Sequence, residues 1–167
     1  MQEKPIKILS LFARGKEIGF VIIEGGEILR YGVKTVKGKR NRPDFAKRVE
    51  KTIAPLLEII DPKGLVVIER CSDVSKRGAL CEAIGKISKL WKERGYILRF
   101  ISLSEAKKRI CGSRKATYRE LIEVVVEEYP ILRILSLNSK LKKTKYWQKV
   151  LIAMALAEGV KRKSTKP

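Results

Sequence analysis

The stretch KILSLFARGKEIGFVIIEGGEIL, Lys7 to Leu29, decides the first half of the fold. Two apolar runs, Ile6–Ala13 and Glu17–Glu24, predict two β-strands. A Gly-Gly pair separates the second run from a third predicted strand, from about Glu27 to Val36. Paired glycines accept the positive φ angles of a tight hairpin turn. The chain therefore begins as an antiparallel meander of three strands.

Strands alternate with helices in the rest of the chain. Leu65–Glu69 and Tyr96–Ile101 are short apolar runs that predict a fourth and a fifth strand. Pro55 predicts a kink or an early end in the first helix. A meander followed by alternating helices and strands predicts an α/β fold with a mixed five-stranded sheet flanked by helices. The predicted helices begin at about Asp44, Lys76, Ser102, Thr117 and Lys145.

The size and composition of the chain fit one globular domain. Its 167 residues, of which 44% are hydrophobic, suffice for a buried core. We expect a single domain over residues 1–160 and a basic flexible tail over residues 161–167. The apolar run Val150–Ala157 is too short to cross a bilayer, so we expect no membrane partner. The odd number of cysteines, without a signal-peptide pattern, predicts a cytoplasmic protein. Asn and Gln occur only twice each, a depletion typical of thermophilic proteins.

Basic residues dominate the charge of the chain. Lys and Arg number 38 against 18 Asp and Glu, which gives a net charge of +20 at pH 7. Residues 34–48 contain seven bases and one acid, and residues 130–167 contain ten bases and one acid. A charge so large and so concentrated predicts a polyanionic partner, with nucleic acid ahead of an anionic membrane surface.

Histidine is absent from the chain, and this excludes several classes of site. Ser-His-Asp triads, Cys-His dyads and HExxH zinc sites all require it. The three cysteines, Cys71, Cys81 and Cys111, lack the CxxC spacing of zinc sites. Their odd number predicts reduced thiols, buried in the core.

Five segments together resemble RuvC-type Holliday-junction resolvases and their YqgF-type relatives, which have a ribonuclease H-like fold. Their order and spacing are similar to the family over most of residues 6–159. The resemblance implies a ribonuclease H-like domain and a homodimer formed through the helix Lys76–Arg94. The segments are the opening hairpin, LVVIER (65–70), RGALCEAIGKISKLWKERGY (77–96), ISLSEAKKRICGSRKATYRELI (101–122) and LIAMALAEG (151–159).

The same resemblance implies a site for two divalent ions held by converging carboxylates. The family supplies an Asp from the first strand, a Glu at the end of the fourth strand and acids near the start of the last helix. Here Glu69 matches the Glu, but the Asp position falls on Phe12. The helix positions fall among residues 146–150, none of which is acidic. One carboxylate does not hold two ions, so we expect no metal, no cofactor and no metal-dependent cleavage.

Glu69 and Phe12 each have two interpretations. Glu69 is either a remnant metal ligand or a structural carboxylate paired with a cation at the edge of the sheet. We hypothesise that Lys149, or a base next to it, occupies the metal position and neutralises Glu69. Phe12 is either a core residue or a residue that excludes water and ions from the former site.

Three groups of bases are candidate phosphate contacts, because arginine grips phosphate with two hydrogen bonds and lysine acts as a point charge. Tyr146 and Trp147 are candidates for stacking on an unpaired base, and packing of a helix face explains them equally well. The bases are Lys37, Lys39, Arg40 and Arg42; Lys107, Lys108, Arg114 and Lys115; and Lys142, Lys143, Lys145 and Lys149.

The sequence thus predicts a nucleic-acid-binding protein with a degenerate nuclease site. Its expected partner is structured or branched DNA, followed by structured RNA. One alternative is an active endonuclease or junction resolvase, which would use Mg²⁺ or Mn²⁺ and gather acids such as Glu17, Asp73 or Glu158 around Glu69. Another alternative is a non-enzymatic scaffold in a nucleoprotein complex.

Overall fold

A mixed five-stranded β-sheet forms the centre of the molecule. The computed structural model describes residues 3–60, 63–70, 74–138 and 144–164, and of residues 74–77, 138, 144–145 and 163–164 it describes the backbone alone. The sheet order is β3-β2-β1-β4-β5. The strands are β1 (Lys7–Arg14), β2 (Glu17–Glu24), β3 (Glu27–Thr35), β4 (Leu65–Glu69) and β5 (Ile97–Ile101).

The first three strands pair antiparallel, and β4 and β5 continue the sheet in parallel with β1. The predicted fold class, three antiparallel strands followed by alternating helices and strands, is confirmed. Side chains alternate between the two faces of each strand. In β1, Leu9 and Leu11 therefore point to one core, whereas Phe12 points to the other.

Helices cover both faces of the sheet. The first two helices pack on one face, and the later helices pack on the other around the apolar centre of the last one. Ser10 ties this last helix to β1, because its Oγ donates to the carbonyl oxygen of Ala153 at 2.6 Å. The helices are α1 (Phe45–Ile60), α2 (Val74–Glu93), α3 (Leu103–Cys111), α4 (Tyr118–Glu128), α5 (Arg133–Asn138) and α6 (Thr144–Ser164).

Local features of three helices differ from the predictions. α1 runs past Pro55 to Ile60, so the expected early end is wrong. Pro55 has no N–H group, so the carbonyl oxygen of Lys51 lacks its usual helical hydrogen bond. Lys51 is exposed, so water can donate a hydrogen bond to this oxygen instead. α2 contains a break at Gly78, where φ is +76°. α6 continues to Ser164, so residues 161–164 belong to a helix and residues 165–167 lie outside the described chain.

The cysteines differ from one another in their bonding. Cys111 is a free thiol, and burial raises its pKa. Cys81 is disulfide-bonded, so the prediction of reduced thiols is wrong for this residue. Cys71 lies outside the described residues. None of the described helices is long and apolar enough to cross a membrane.

Candidate nucleic-acid interface

Several strands have their ends along the same side of the sheet. We use edge for such a line of strand ends and call β3 and β5 the outer strands. Since β1, β4 and β5 are parallel, their last residues Arg14, Glu69 and Ile101 lie at the same edge. β3 also ends here, because Thr35 pairs with Glu17 at the start of antiparallel β2. Any charged segment that follows one of these strands is therefore brought to this edge.

Three basic segments reach this edge. One loop follows β3, α3 follows β5, and the first turns of α6 lie over β2 and β3. The Tyr146 hydroxyl donates to the carbonyl oxygen of Val33 at 3.4 Å, which fixes α6 there. We name this surface the basic edge. Its members are Arg14, the loop Lys37–Arg42, Lys107, Arg114 and Lys149.

Glu69 is bound by Arg14 at the centre of the basic edge. Arg14 Nη1 donates to Glu69 Oε2 at 2.7 Å, and Nη2 donates to Oε1 at 3.0 Å. The carboxylate is 4% exposed and the guanidinium side chain 32% exposed, so the acid lies beneath the base. A pair with two parallel hydrogen bonds is fixed in orientation as well as in distance.

The hypothesis that Lys149 neutralises Glu69 is wrong, and the side chain of the neighbouring base Lys145, which the hypothesis also allowed, lies outside the described residues. The ammonium of Lys149 lies 3.7 Å from Glu17 Oε2, and the guanidinium of Arg14 takes the carboxylate of Glu69. The reason is strand geometry. Arg14 lies on the strand next to Glu69 and points to the same face as Phe12, two residues earlier.

Phe12 supports Arg14 from the core side. The ring is 2% exposed and packs in the core beneath α6, so its interpretation as a core residue is confirmed. The Arg14 guanidinium carbon lies 4.2 Å from the centre of this ring, a distance typical of a cation–π contact. Burial lowers the pKa of Arg14, but the hydrogen bonds and charge of Glu69, with a contribution from Tyr118, outweigh it and raise the pKa.

The loop after β3 presents four bases to solvent. Lys37, Lys39, Arg40 and Arg42 are all exposed. Arg48 of α1 fixes the start of the loop, because its Nη1 donates to the carbonyl oxygen of Lys37 at 2.8 Å. Gly38 has a φ of +93°, and a Cβ there would overlap the Arg48 guanidinium. The loop thus has a defined start and freely accessible charges.

The second group of bases surrounds α3. Lys107 lies over the ring of Tyr118 with its Nζ 4.7 Å from the ring centre. Arg114 reaches back to the start of the helix, where its Nη1 donates to Ser104 Oγ at 3.1 Å. Lys108 and Lys115 are exposed. In this group, contacts with Tyr118 and Ser104 fix the positions of Lys107 and Arg114, and the other two bases are exposed.

The third group is only partly described. Lys142 and Lys143 lie outside the described residues, and the side chain of Lys145 does as well. Lys149 is 8% exposed, and its ammonium lies 3.7 Å from Glu17 Oε2, so an acid offsets part of its charge beneath the surface.

The two aromatic candidates for base stacking precede Lys149 in α6. Tyr146 and Trp147 form a T-shaped pair with ring centres 5.0 Å apart. Trp147 packs against the core and Tyr146 is exposed, so Tyr146 is the more accessible for stacking.

The sequence pattern did not indicate Arg14, a member of the basic edge, or Tyr118, which contacts another member, Lys107. The strand predicted over Ile6–Ala13 stops one residue before Arg14, although period-two spacing from Phe12 places both side chains on one face. Tyr118 directly follows Thr117, the N-cap of α4, and no sequence signal marks it as a site residue. Its exposure and its contact with Lys107 are properties of the packing between α3 and α4.

The donors at the basic edge do not fit a pair of divalent ions. In the parts of the chain that the structure describes, no three His, Cys, Asp or Glu residues gather into a group that holds a metal. Both oxygens of Glu69 accept hydrogen bonds from Arg14. Glu158 lies at the opposite edge, in a cavity with Pro5 and Gly25, and Asp73 lies outside the described residues. Two ions bridged by oxygen ligands need more carboxylates than this.

Two solved structures of RuvC are similar to this chain. A Thermus thermophilus RuvC structure matches with a TM-score of 0.63 and 16% identity, over 95% of this chain and 97% of that chain. T. thermophilus RuvC in complex with a Holliday junction substrate matches with a TM-score of 0.67 and 14% identity, over 95% and 94%. This chain has the fold of RuvC. No protein-family model and no curated protein matches the sequence.

The predicted ribonuclease H-like fold is thereby confirmed. From the RuvC resemblance, the metal-binding carboxylates were expected on the first strand, the fourth strand and the last helix. The corresponding elements β1, β4 and α6 do converge here. At their meeting point lie Phe12 of β1, Glu69 of β4 and Lys149 of α6.

Proposed function

We propose that this protein binds structured or branched nucleic acid through the basic edge and has lost metal-dependent cleavage there. The observation that supports this most is the convergence of three basic segments on one edge of the sheet, around the Arg14–Glu69 pair. Phosphate neutralisation by such a surface supplies affinity without reading base sequence.

The distribution of charge supports the choice of this edge. The β2–β3 turn at the opposite edge carries Glu24 and Glu27, and the buried Glu158 lies beside it and offsets the charge of the neighbouring Lys161. A polyanion approaching the molecule is therefore attracted to the edge where Arg14 and the loop Lys37–Arg42 lie.

We propose DNA ahead of RNA as the partner. The similar T. thermophilus RuvC is known in complex with a Holliday junction substrate. The shared fold and the position of the bases together favour a branched duplex as the first probe. Structured RNA presents the same phosphate charge and is the second.

The loss of cleavage is proposed from the chemistry of the donors. Glu69 is the family-matched carboxylate that remains, and a guanidinium bonds to both of its oxygens. A divalent ion at this position would have to displace Arg14 and would meet its positive charge. No cofactor is needed for binding of this kind.

The test is one gel experiment on the full chain. Labelled four-way junction, duplex and single strand, each as DNA and as RNA, are incubated with the protein in Mg²⁺ or Mn²⁺. Half of each sample is run on a native gel and half on a denaturing gel. A Glu69→Ala variant is run beside the wild type, with folding checked by circular dichroism.

Each outcome selects one function. A shifted and uncut junction supports the proposal and ranks the nucleic-acid shapes. Cuts that vanish in Glu69→Ala overturn it in favour of an active nuclease. If no probe shifts, the binding proposal fails, and the scaffold alternative predicts tight binding to a protein partner instead.

We also propose that the protein forms a homodimer through α2 and the neighbouring outer strand β5. Leu90 of α2 and Phe100 of β5 are both more than 40% exposed, and Phe100 lines a surface cavity together with Gly85 of α2. Sedimentation velocity tests this. Leu90→Glu is expected to give a monomer, whereas Ile131→Glu, at an equally apolar exposed position on the far face, is expected to leave the dimer intact.

A further inference from the structure

We propose that Arg14, held from below by Glu69 and flanked by Lys107 and Tyr118, is the central binding site for one phosphodiester group. This inference rests on the proposed function, because it names the group that the basic edge grips at its middle. Glu69 of β4 bonds to Arg14 of β1, Tyr118 of α4 lies next to Arg14, and Lys107 of α3 lies over the Tyr118 ring, so the site exists only in the folded protein.

The first argument is the number of N–H groups of the Arg14 guanidinium that do not donate to Ala13 or Glu69. A guanidinium carries five N–H groups. Arg14 Nη1 donates to the carbonyl oxygen of Ala13 at 2.8 Å and to Glu69, and Nη2 donates once to Glu69. Two further N–H groups remain for other acceptors, such as the phenol oxygen of Tyr118 or an oxygen of a bound phosphate.

The second argument is preorganisation. Arg14 is bonded on one side to Glu69 and stacked over Phe12, so its head group has one orientation before any ligand arrives. A flexible arginine loses rotamer entropy when it binds a phosphate, and a fixed one has already lost it. The side chain is still 32% exposed, which leaves a path for a ligand.

The third argument is the order of charges from core to solvent. The negative Glu69 is buried, and the positive Arg14 lies above it. Lys107 adds a second cation that the ring of Tyr118 holds in place. A phosphate approaching from solvent therefore meets two positive groups before the carboxylate. A single anion of tetrahedral geometry fits a fork of N–H donors beside a point charge.

The test compares the affinity of four proteins for a fluorescent DNA four-way junction across a potassium chloride series without divalent ions. Arg14→Gln removes the proposed contact, and Arg14→Lys keeps the charge but removes the fork. Arg94→Gln is the matched control, because Arg94 is an exposed arginine paired with Glu50 just before β5 begins, at the opposite edge of the sheet.

Arg14→Gln is expected to weaken binding about tenfold or more, as for loss of a charge-assisted hydrogen bond. It is also expected to lower the salt slope by about one. Arg14→Lys should keep the salt slope and lose part of the affinity. Arg94→Gln should match the wild type.

A measurement on the wild type keeps the proposal testable if the Arg14 variants do not fold. The Nε–H signal of Arg14 in a ¹⁵N-labelled sample is followed by NMR as junction DNA is added. A shift that saturates with binding supports the proposal. A shift caused by Mg²⁺ alone identifies a cation site and overturns the proposal.

Failure of this inference is distinct from failure of the proposed function. If the wild type binds no nucleic acid, both fail. If it binds and Arg14→Gln behaves as Arg94→Gln does, the phosphate site is refuted while the basic edge still stands.

Discussion

The Arg14–Glu69 pair shows how one contact gives a residue both a structural and a functional role. Glu69 is 4% exposed, so its charge is stable only while a partner supplies hydrogen bonds. Glu69→Ala leaves the inner side of the guanidinium without an acceptor. We expect the free energy of unfolding in urea at pH 7 to fall by about 1–3 kcal/mol. The low end is favoured, because Arg14 is one-third exposed and water replaces part of the lost bonding.

The control for Glu69→Ala is Glu123→Ala. Glu123 pairs with Arg119 on the exposed side of α4 at 3.1 Å, with both side chains largely in water. An exposed pair of this kind contributes at most about 0.5 kcal/mol. Equal losses for the two variants would show that burial gives the Arg14–Glu69 pair no added strength.

Glu158 is a second buried acid, and it makes stability depend on pH. Burial alone raises its pKa, but the Tyr129 hydroxyl donates to Oε2 at 2.7 Å. Glu128, Lys161 and Arg162 add to this, and together they hold the pKa of Glu158 below its ordinary value. Burial, with the hydrogen bond and charge of Glu158, raises the pKa of Glu128, so the two carboxyls titrate as a pair.

The sign of the pH effect follows from the lowered pKa of Glu158. The unfolded chain binds the proton more tightly, so the stabilisation is complete above an unfolded pKa of about 4.3 and is lost as pH falls through the folded value. Glu158→Gln is expected to unfold more easily at pH 7 and to show a flatter loss of stability below about pH 5. Urea unfolding from pH 3 to pH 7 measures both, with the exposed Glu123→Gln as control. An unchanged slope would contradict this assignment.

The sequence located Glu69 correctly and assigned it the wrong partner. A carboxylate at the end of a short apolar strand is visible in the letters LVVIER. Its partner depends on which of 38 bases comes closest in three dimensions, and strand register decides that. Period-two spacing puts Arg14 and Phe12 on one face, but only the pairing of β1 with β4 brings that face to Glu69.

At the scale of secondary-structure elements, the close contact between α6 and β2 fixes where the first turns of α6 lie at the basic edge. Gly19 lies in β2 directly beneath the backbone of Lys149. A Cβ at Gly19 would overlap the carbonyl group of Lys149, and neither backbone can move without separating helix from sheet. Gly19→Ala is therefore expected to cost about 1–3 kcal/mol or more. It should also weaken nucleic-acid binding, because it displaces the first turns of α6.

The matched control for Gly19→Ala is Gly85→Ala in α2. A Cβ at Gly85 meets nothing within 4 Å. Alanine is the better helix former, so this variant should gain about 0.5–1 kcal/mol. Thermal unfolding of both variants checks the prediction. A Gly19→Ala protein as stable as the wild type would show that α6 does not rest on β2 as described.

Most strands and helices were predictable because each carries a local signal. The capping box of Thr117 and Glu120 marks the start of α4, and the structure shows both of its hydrogen bonds. The short α5 was missed because a six-residue helix after Pro130 has little periodicity of its own. The break at Gly78 was missed because a lone glycine inside a helical pattern is often tolerated.

For the molecule as a whole, the question is whether net charge or the position of the charges directs binding. The loop residues Lys37, Lys39, Arg40 and Arg42 are exposed at the basic edge. Lys4, Lys51, Lys63 and Lys92 are equally exposed and lie outside the basic edge, with Lys4 just before β1 and Lys63 just before β4 at the opposite edge, and we name these four the remote set. Replacing either set with glutamine lowers the net charge by the same four units from +20.

If position directs binding, the loop variant loses most of its affinity for a four-way junction and the variant of the remote set keeps it. The slope of log affinity against log salt should fall by up to about 3–4 for the loop set, because each lost phosphate contact releases about one counterion fewer. For the remote set the slope should change by less than about one. Fluorescence anisotropy at five salt concentrations measures both slopes. Equal slopes would mean that the protein attracts DNA by net charge alone and that the basic edge does not orient it.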